Sequence, residues 1–193
     1  MQVSLKKIAG LWDVGWVLDK HIVSSVFLGN NESGRPQFDT TRTAAGEATF
    51  QLKYRRNWSQ AMPLAQAVAD NIYPMLEKVG FIVPMPASTT RARQPVTEVA
   101  NELGKLVNKP VFDNLLLKTP NGKPLKDIIS KEEKIEAIGN SFSIHDGIEG
   151  NGPWNVLIVD DLFDTGASME AACRVMRTYP KVRQVYVAAL TWK

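Results

Sequence analysis

The sequence predicts an α/β domain built on a mainly parallel sheet with flanking helices, preceded by a β-hairpin. Three observations carry that expectation. Short apolar, β-branched runs at 80–84, 155–159 and 182–190 have the composition of strands covered on both faces. Helical patterns alternate with them, and strand–helix alternation builds parallel sheets with right-handed crossovers. Two of the runs end in loops of small, hydroxyl and charged residues. Open α/β sheets bind ligands just outside the carboxyl ends of their strands.

The composition supports the same class. With 193 residues, 44% of them apolar, the chain has material for one α/β domain with an appendage, and the composition argues against global disorder. Cys173 is the single cysteine, which rules out an intramolecular disulfide or a multi-cysteine zinc site. It falls on the apolar face of its helix and reads as a small core residue. A net charge of +3 tolerates an anionic ligand but is too small to argue for nucleic acid by itself. MQVSLKKIAG has no long apolar stretch and no run reaches membrane-spanning length, so the expected location is the cytoplasm, with no membrane partner.

Taken in order, residues 11–28 read as the hairpin, with apolar and aromatic residues on either side of Asp19-Lys20. Residues 29–42 read as a polar loop. Its GNNESGRP has the look of a triphosphate-binding loop, but Arg35 stands where the lysine belongs and Pro36 where the hydroxyl belongs, and no helix pattern follows. The expected division is a hairpin segment at 1–43 and a main domain at 44–193. AAGEATFQLKYRR at 44–56 leads into a helix over 59–78, striped by Leu64, Val68, Ile72, Met75 and Leu76, which Pro74 should kink or end early. The strand at 80–84 is followed by the loop 85–93, then by a helix with Pro95 at its first position. Residues 110–117 read as a strand. The stretch 118–153 is long and polar, with a short helix over 128–138, and a stretch of that kind inside a compact domain is functional or mobile. The strand at 155–159 leads into a helix near Ser168 with Met169, Ala172, Cys173 and Met176 on one face, and 182–190 is the last strand.

The chemistry concentrates in VLIVDDLFDTGAS, residues 156–168. Asp160 and Asp161 stand at the carboxyl end of its strand. Asp164, Thr165, Gly166, Ala167 and Ser168 then form a tight loop, with Gly166 free to take a positive φ. Free N–H groups in a loop at a helix N-terminus suit a phosphate. A phosphate on 164–168 with hydroxyls or a metal at Asp160 and Asp161 is the layout of a sugar phosphate. The plainer reading is a strand ending in a capped helix with two solvated acids. The other loop, Met85, Pro86, Ala87, Ser88 and on to Arg91 and Arg93, carries two cations that suit a diphosphate.

With both loops placed, the sequence resembles the type I phosphoribosyltransferases. The match is four apolar residues, two acids, two apolar residues and D-T-G-x-[ST], with Phe163 where an aliphatic residue is usual. LKYRR at 52–56, VPMPASTTRAR at 83–93, KTP at 118–120 and NVLIVDDLFDTGAS at 155–168 are similar to the competence-associated, ComF-type branch, without the N-terminal zinc module that one cysteine cannot make. The resemblance implies the type I phosphoribosyltransferase fold over 44–193. It also implies transfer of a phosphoribosyl group from phosphoribosyl diphosphate (PRPP) to a nitrogenous acceptor, with Mg²⁺, releasing diphosphate. By the same resemblance Asp160 and Asp161 hold the ribose hydroxyls, directly or through the metal. Asp164 lies near the reacting base as proton acceptor. Thr165, Gly166, Ala167 and Ser168 hold the 5′-phosphate. Met85, Pro86, Ala87 and Ser88 form the diphosphate loop, with charge from Arg91 or Arg93, and 118–153 supplies a lid.

Two other readings stay open. A regulator that binds PRPP or a nucleotide without catalysis would share the phosphate loop. A DNA-uptake accessory protein would use LKYRRNW at 52–58 to hold single-stranded DNA. His21 and His145 have no partner readable in the sequence and are taken as structural. The hairpin segment, with Trp12, Trp16 and Phe27, is expected either to hood the acceptor or to pack on the sheet or on the second subunit of a homodimer.

Overall fold

The computed structural model describes residues 1–89, 91–119 and 141–193. In chain order its strands are β1 (Lys6–Lys7), β2 (Val14–Lys20), β3 (Ile22–Asn30), β4 (Pro36–Arg42), β5 (Val79–Pro84), β6 (Leu116–Lys118), β7 (Phe142–Ile144), β8 (Trp154–Phe163) and β9 (Val182–Trp192). The helices are α1 (Ala44–Tyr54), α2 (Ala61–Asn71), α3 (Pro95–Val107) and α4 (Ala167–Met176). The central sheet has the order β1-β2-β9-β8-β5. β2, β9, β8 and β5 run parallel, and β1 lies antiparallel at one edge. This is the expected mainly parallel α/β architecture.

Side chains alternate across a strand, so each central strand feeds two cores. Val156 and Ile158 of β8, with Val185, Val187 and Ala189 of β9, pack beneath α4 against Met169, Ala172, Cys173 and Met176. Leu157 and Val159, with Tyr186, Ala188 and Leu190, pack beneath α1, α2 and α3 against Leu52, Leu64, Val68 and Leu103. Every one of these sheet residues is at most 1% exposed. At roughly 1.5–3 kcal/mol for each large aliphatic side chain removed from water, these two layers dominate the fold. Among the described residues no helix is long and apolar enough to cross a membrane.

The N-terminal segment departs from expectation. A hairpin is present, but β3 pairs with β4, and β2 instead joins the central sheet beside β9. Val17 and Leu18 are consecutive and both fully buried, which demands cover on two faces, and only the interior of the sheet supplies it. His21 continues the β9 pairing through its N–H to the Trp192 carbonyl, 2.7 Å, instead of turning back. Residues 36–42, expected as loop, form β4. Their polar alternation fits a strand solvated on both faces, and β3 and β4 expose Val23, Val26, Phe27, Leu28 and Phe38.

Other boundaries shift as well. The helix expected over 59–78 is α2 between two 3₁₀ turns, the second holding Pro74. Residues 44–56, expected as a lead-in, contain the separate helix α1. The strand expected at 110–117 shrinks to a bridge between Val111 and Ile82 and to β6, which pairs with β7. The short helix expected at 128–138 lies outside the described residues.

α1 is fixed to the sheet at its first turn. Thr43 accepts the Gly46 N–H on its hydroxyl at 3.0 Å, a helix cap, and donates that hydroxyl to the Lys20 carbonyl at 2.6 Å. A methyl group on Gly46 would meet the His21 carbonyl oxygen at 2.0 Å. Helix propensity favours alanine over glycine by about 1 kcal/mol, but here the overpacking wins. Gly46→Ala is expected to destabilise the protein by roughly 1–3 kcal/mol. Urea unfolding showing a stabilised variant would contradict this account of how α1 docks.

Candidate functional site

β5 and β8 are parallel neighbours, so the loops that follow them leave the sheet side by side. The Met85 N–H donates to the Val159 carbonyl at 2.7 Å, tying the start of the first loop to the strand that carries the acids. Between the loops lies a cavity of about 300 Å³. Met85, Pro86, Ala87, Ser88 and Arg91 line one side, and Asp160, Asp161 and Ser168 line the other. Beside it a hollow of about 70 Å³ is bounded by Asp160, Asp164, Thr165, Gly166, Ala167 and Ser168. The structure thus brings together the predicted residues of both loops, Arg93 excepted.

The small hollow lies at the N-terminus of α4. Gly166 opens α4 with φ +82°, a conformation that glycine adopts without strain. A side chain there would meet the Phe163 ring at 3.1 Å. Phe163 fills the space under this turn and meets Trp12 edge-on, ring centroids 6.0 Å apart. Ala167, Ser168 and Met169, the first residues of a ten-residue helix, line the hollow, and the Ala167 N–H donates to Thr165 Oγ1 at 3.4 Å; a helix N-terminus is a place where an anion is favoured.

The acids differ from one another. β8 runs on through Phe163, so Asp160 and Asp161 are still within the strand and point to opposite faces. Asp160 follows Val156 and Ile158 toward α4. Its Oδ1 accepts the Asp161 N–H at 2.8 Å. Burial first, then the neighbouring Asp161 carboxylate, push Asp160 up to about 7. Asp161 follows Leu157 and Val159 toward α1, where Lys53 Nζ lies 2.6 Å from its Oδ2. Burial alone would lower Lys53, but the Asp161 charge and hydrogen bond outweigh it and hold the ammonium above its ordinary value.

A second lysine enters from β6. Lys118 Nζ donates to Ser88 Oγ at 2.9 Å. Burial holds its ammonium below the usual value, against the opposing pull of Asp160. Arg93 is turned elsewhere: it pairs with Glu98 at 2.6 Å and stacks over Trp58 at 4.5 Å. Asp164 stands at the mouth, 57% exposed, with Lys193 Nζ 3.2 Å from its Oδ2.

Three participants escaped the sequence reading. Lys53 was grouped with cations for single-stranded DNA, and nothing in the sequence pairs position 53 with 161. Lys118 appeared only within KTP. His21, taken as partnerless, has one: its Nδ1 lies 3.0 Å from Thr191 Oγ1. The single Thr191 hydroxyl proton goes to the Asp161 carbonyl at 2.8 Å, so the imidazole Nδ1 must be the donor to Thr191. Of the two readings open for Trp12, it takes the packed one: it is a core residue, 7% exposed, with its indole N–H on the Ile8 carbonyl. Trp16 packs against the α1–α3 core, and Phe27 stands exposed on the hairpin beside Phe38. The lid expected at 118–153 lies mostly outside the described residues.

Among the described residues no three carboxylate, histidine or cysteine groups gather. Asp160 and Asp161 supply two carboxylates on the rim of an anion-suited cavity. Mg²⁺ keeps its octahedron from one or two protein carboxylates, water and substrate phosphate oxygens. The donor set fits a cation shared with a bound phosphate ester and does not fit one caged by protein alone.

No family model matches the sequence, and neither does any curated protein. Solved structures do match. Adenine phosphoribosyltransferase from Trypanosoma brucei, in complex with AMP, pyrophosphate and ribose-5-phosphate, superposes with a TM-score of 0.51 at 12% identity, over 98% of this chain and 74% of that one. The Saccharomyces cerevisiae adenine phosphoribosyltransferase, complexed with adenine and an imino-altritol bisphosphate, gives 0.48 at 14% identity, over 89% and 85%. A Staphylococcus aureus hypoxanthine phosphoribosyltransferase gives 0.43 at 13% identity, over 70% and 65%. The first of these shows the fold: the chain has the α/β architecture of a type I phosphoribosyltransferase.

The raised Asp160 has a consequence for stability. A carboxyl neutral in the folded state and ionised in the unfolded state makes folding take up a proton. The contribution of Asp160 to stability therefore falls as pH rises from about 4 to about 7 and is flat above. Asp160→Asn removes this dependence. The variant should match wild type near pH 4 and exceed it by roughly 1–3 kcal/mol at pH 8. Denaturant titrations at the two pH values check it, and a variant less stable at pH 8 would refute the assigned burial cost.

Proposed function

We propose that this chain is a phosphoribosyltransferase that binds PRPP with Mg²⁺ and transfers its phosphoribosyl group to a nitrogenous acceptor. One observation carries the reading. The carboxylates Asp160 and Asp161 stand between a phosphate-sized hollow at 164–168 and a cavity lined by Ser88, Arg91, Lys53 and Lys118. Anion, hydroxyl-binding acids and cations occur in the order of 5-phosphate, ribose and diphosphate along PRPP. The fold shared with an enzyme solved with pyrophosphate and ribose-5-phosphate supports the same order.

In this reading Thr165, Gly166, Ala167 and Ser168 hold the 5-phosphate, and Asp160 and Asp161 orient the ribose hydroxyls. Met85, Pro86, Ala87 and Ser88 wrap the diphosphate, with charge from Arg91. Fixing both ends of the molecule leaves the anomeric carbon aligned with the acceptor. The bond from that carbon to the diphosphate oxygen breaks as the bond to the acceptor nitrogen forms. Arg91, Lys118 and Lys53 stabilise the charge that gathers on the leaving oxygen. The acceptor's proton passes to Asp164 at the mouth. Mg²⁺, when bound, would neutralise diphosphate oxygens and hold them against the acids.

The competence-type branch is part of the proposal, and the place of LKYRR supports it, since its Lys53 reaches the site. The alternative of a single-strand platform at 52–58 finds less support, with Lys53 on Asp161 and Trp58 under Arg93. A regulator that binds PRPP without turnover is favoured by one contact, the Lys193 ammonium on Asp164. Both side chains are 57% exposed, and so open a pair is weak enough to part for an acceptor.

Calorimetry with PRPP, with and without Mg²⁺, tests the binding. Mg²⁺-dependent heat is expected, and Asp160→Asn with Asp161→Asn together should weaken PRPP by more than about ten-fold. Absence of heat in both conditions removes the reading. Release of diphosphate across a panel of nucleobases and amines then identifies the acceptor.

We place the acceptor hood on the β3–β4 hairpin. Ser24 and Thr41 pair across it, so a two-residue Asn-Gly turn can join them and delete the tip. The shortened protein should fold and bind PRPP yet lose acceptor-dependent turnover. Normal turnover would exclude the hood, and a changed oligomeric state would assign the hairpin to a homodimer contact.

A further inference from the structure

Lys53 reaches the cavity from an element outside both loops. Its ammonium lies 2.6 Å from Asp161 Oδ2, with the side chains 30% and 15% exposed. The backbone carbonyl of the same residue accepts Arg91 Nη1 at 3.2 Å. The last turn of α1 is thus tied to the acid strand by its side chain and to the diphosphate loop by its backbone. The strand period explains the first tie: Asp161 shares a face with Leu157 and Val159, and α1 packs on that face.

A lysine ammonium and a divalent cation compete for the same carboxylate oxygens. In the ligand-free chain the ammonium already holds Asp161, so a lone divalent cation must displace it with nothing to compensate. A diphosphate changes that balance. It brings several anionic oxygens into a cavity that Lys53, Arg91, Ser88 and Lys118 line together. A compact charge on a flexible four-carbon stem can then turn from the carboxylate to those oxygens without moving the helix.

Building on the phosphoribosyltransferase reading, we infer that Lys53 exchanges partners. It holds Asp161 until diphosphate arrives and then turns to the diphosphate, so the site takes its divalent cation together with the diphosphate and not before it. A purely structural pin between α1 and β8 would change stability when removed but would leave the order of metal and diphosphate untouched.

Equilibrium dialysis of the full chain, with Mn²⁺ as the metal probe and radiolabelled inorganic diphosphate, separates these cases. Wild type is expected to hold Mn²⁺ weakly alone and at least about ten-fold more tightly with diphosphate, a coupling of ordinary allosteric size. Lys53→Met should hold Mn²⁺ alone about ten-fold more tightly than wild type, with diphosphate bound more weakly. Lys53→Arg, which keeps a cation on Asp161, should hold Mn²⁺ alone as weakly as wild type. Thermal unfolding confirms that each variant is folded, and Lys53→Gln serves in place of Lys53→Met if that variant does not fold. If wild type binds Mn²⁺ with diphosphate and the neutral variant holds Mn²⁺ alone no more tightly, the inference is overturned and the functional reading stands. If wild type retains no diphosphate even with Mn²⁺, the functional reading falls and takes the inference with it.

Discussion

The two-residue period of β8 organises everything at the candidate site. Two consecutive aspartates on a loop could both face a ligand. Two consecutive aspartates on a strand reach it from different sides, because their side chains leave on opposite faces of the sheet. Asp160 therefore belongs with α4 and its anion-suited turn, and Asp161 with α1 and Lys53. The acids have different neighbours for a geometric reason, and their different electrostatic states follow from those neighbours. One is pushed toward neutrality by burial, while the other sits against an ammonium.

The same geometry explains why α1 matters to a site that the two loops seem to complete. Removing an ionised carboxylate from water is costly unless a counter-charge replaces the lost hydration. Asp161 obtains one from Lys53, and Lys53 is where it is because α1 is docked. That docking depends on the Thr43 cap, the close approach of Gly46 to His21, and the Leu52 side chain in the core. Balancing the Asp161 charge in the absence of ligand thus draws on a helix more than a hundred positions away in the chain.

Much of this was legible in the sequence because the signals were local. Residues 156–168 announce strand, acids, turn and helix within thirteen positions, and the loop at 85–93 follows β5 with small, hydroxyl and cationic residues before a helix. The fold class followed from strand–helix alternation and holds in the structure. The failures came where partners are distant. β2 and β3 are adjacent apolar runs that look like one hairpin, and only β9, far along the chain, reveals β2 as a sheet strand. Lys53 and Asp161, His21 and Thr191 likewise meet through the fold alone. Of Arg91 and Arg93, Arg93 is turned away for a nearer reason: Glu98 lies within reach on the first turn of α3 and pairs with its guanidinium.

The place of β2 also ties the early part of the chain to its late part. Its partner is β9, and Asp13 accepts the Val185 N–H across 172 positions of chain. Until β9 exists, β2 has no sheet to enter, and the apolar run 14–18 waits without cover. Closing so long a loop is entropically slow, and high contact order slows folding generally. The Lys20 carbonyl that receives Thr43 belongs to that strand, so the seat of α1, and with it the reach of Lys53 to Asp161, depends on β2 lying beside β9.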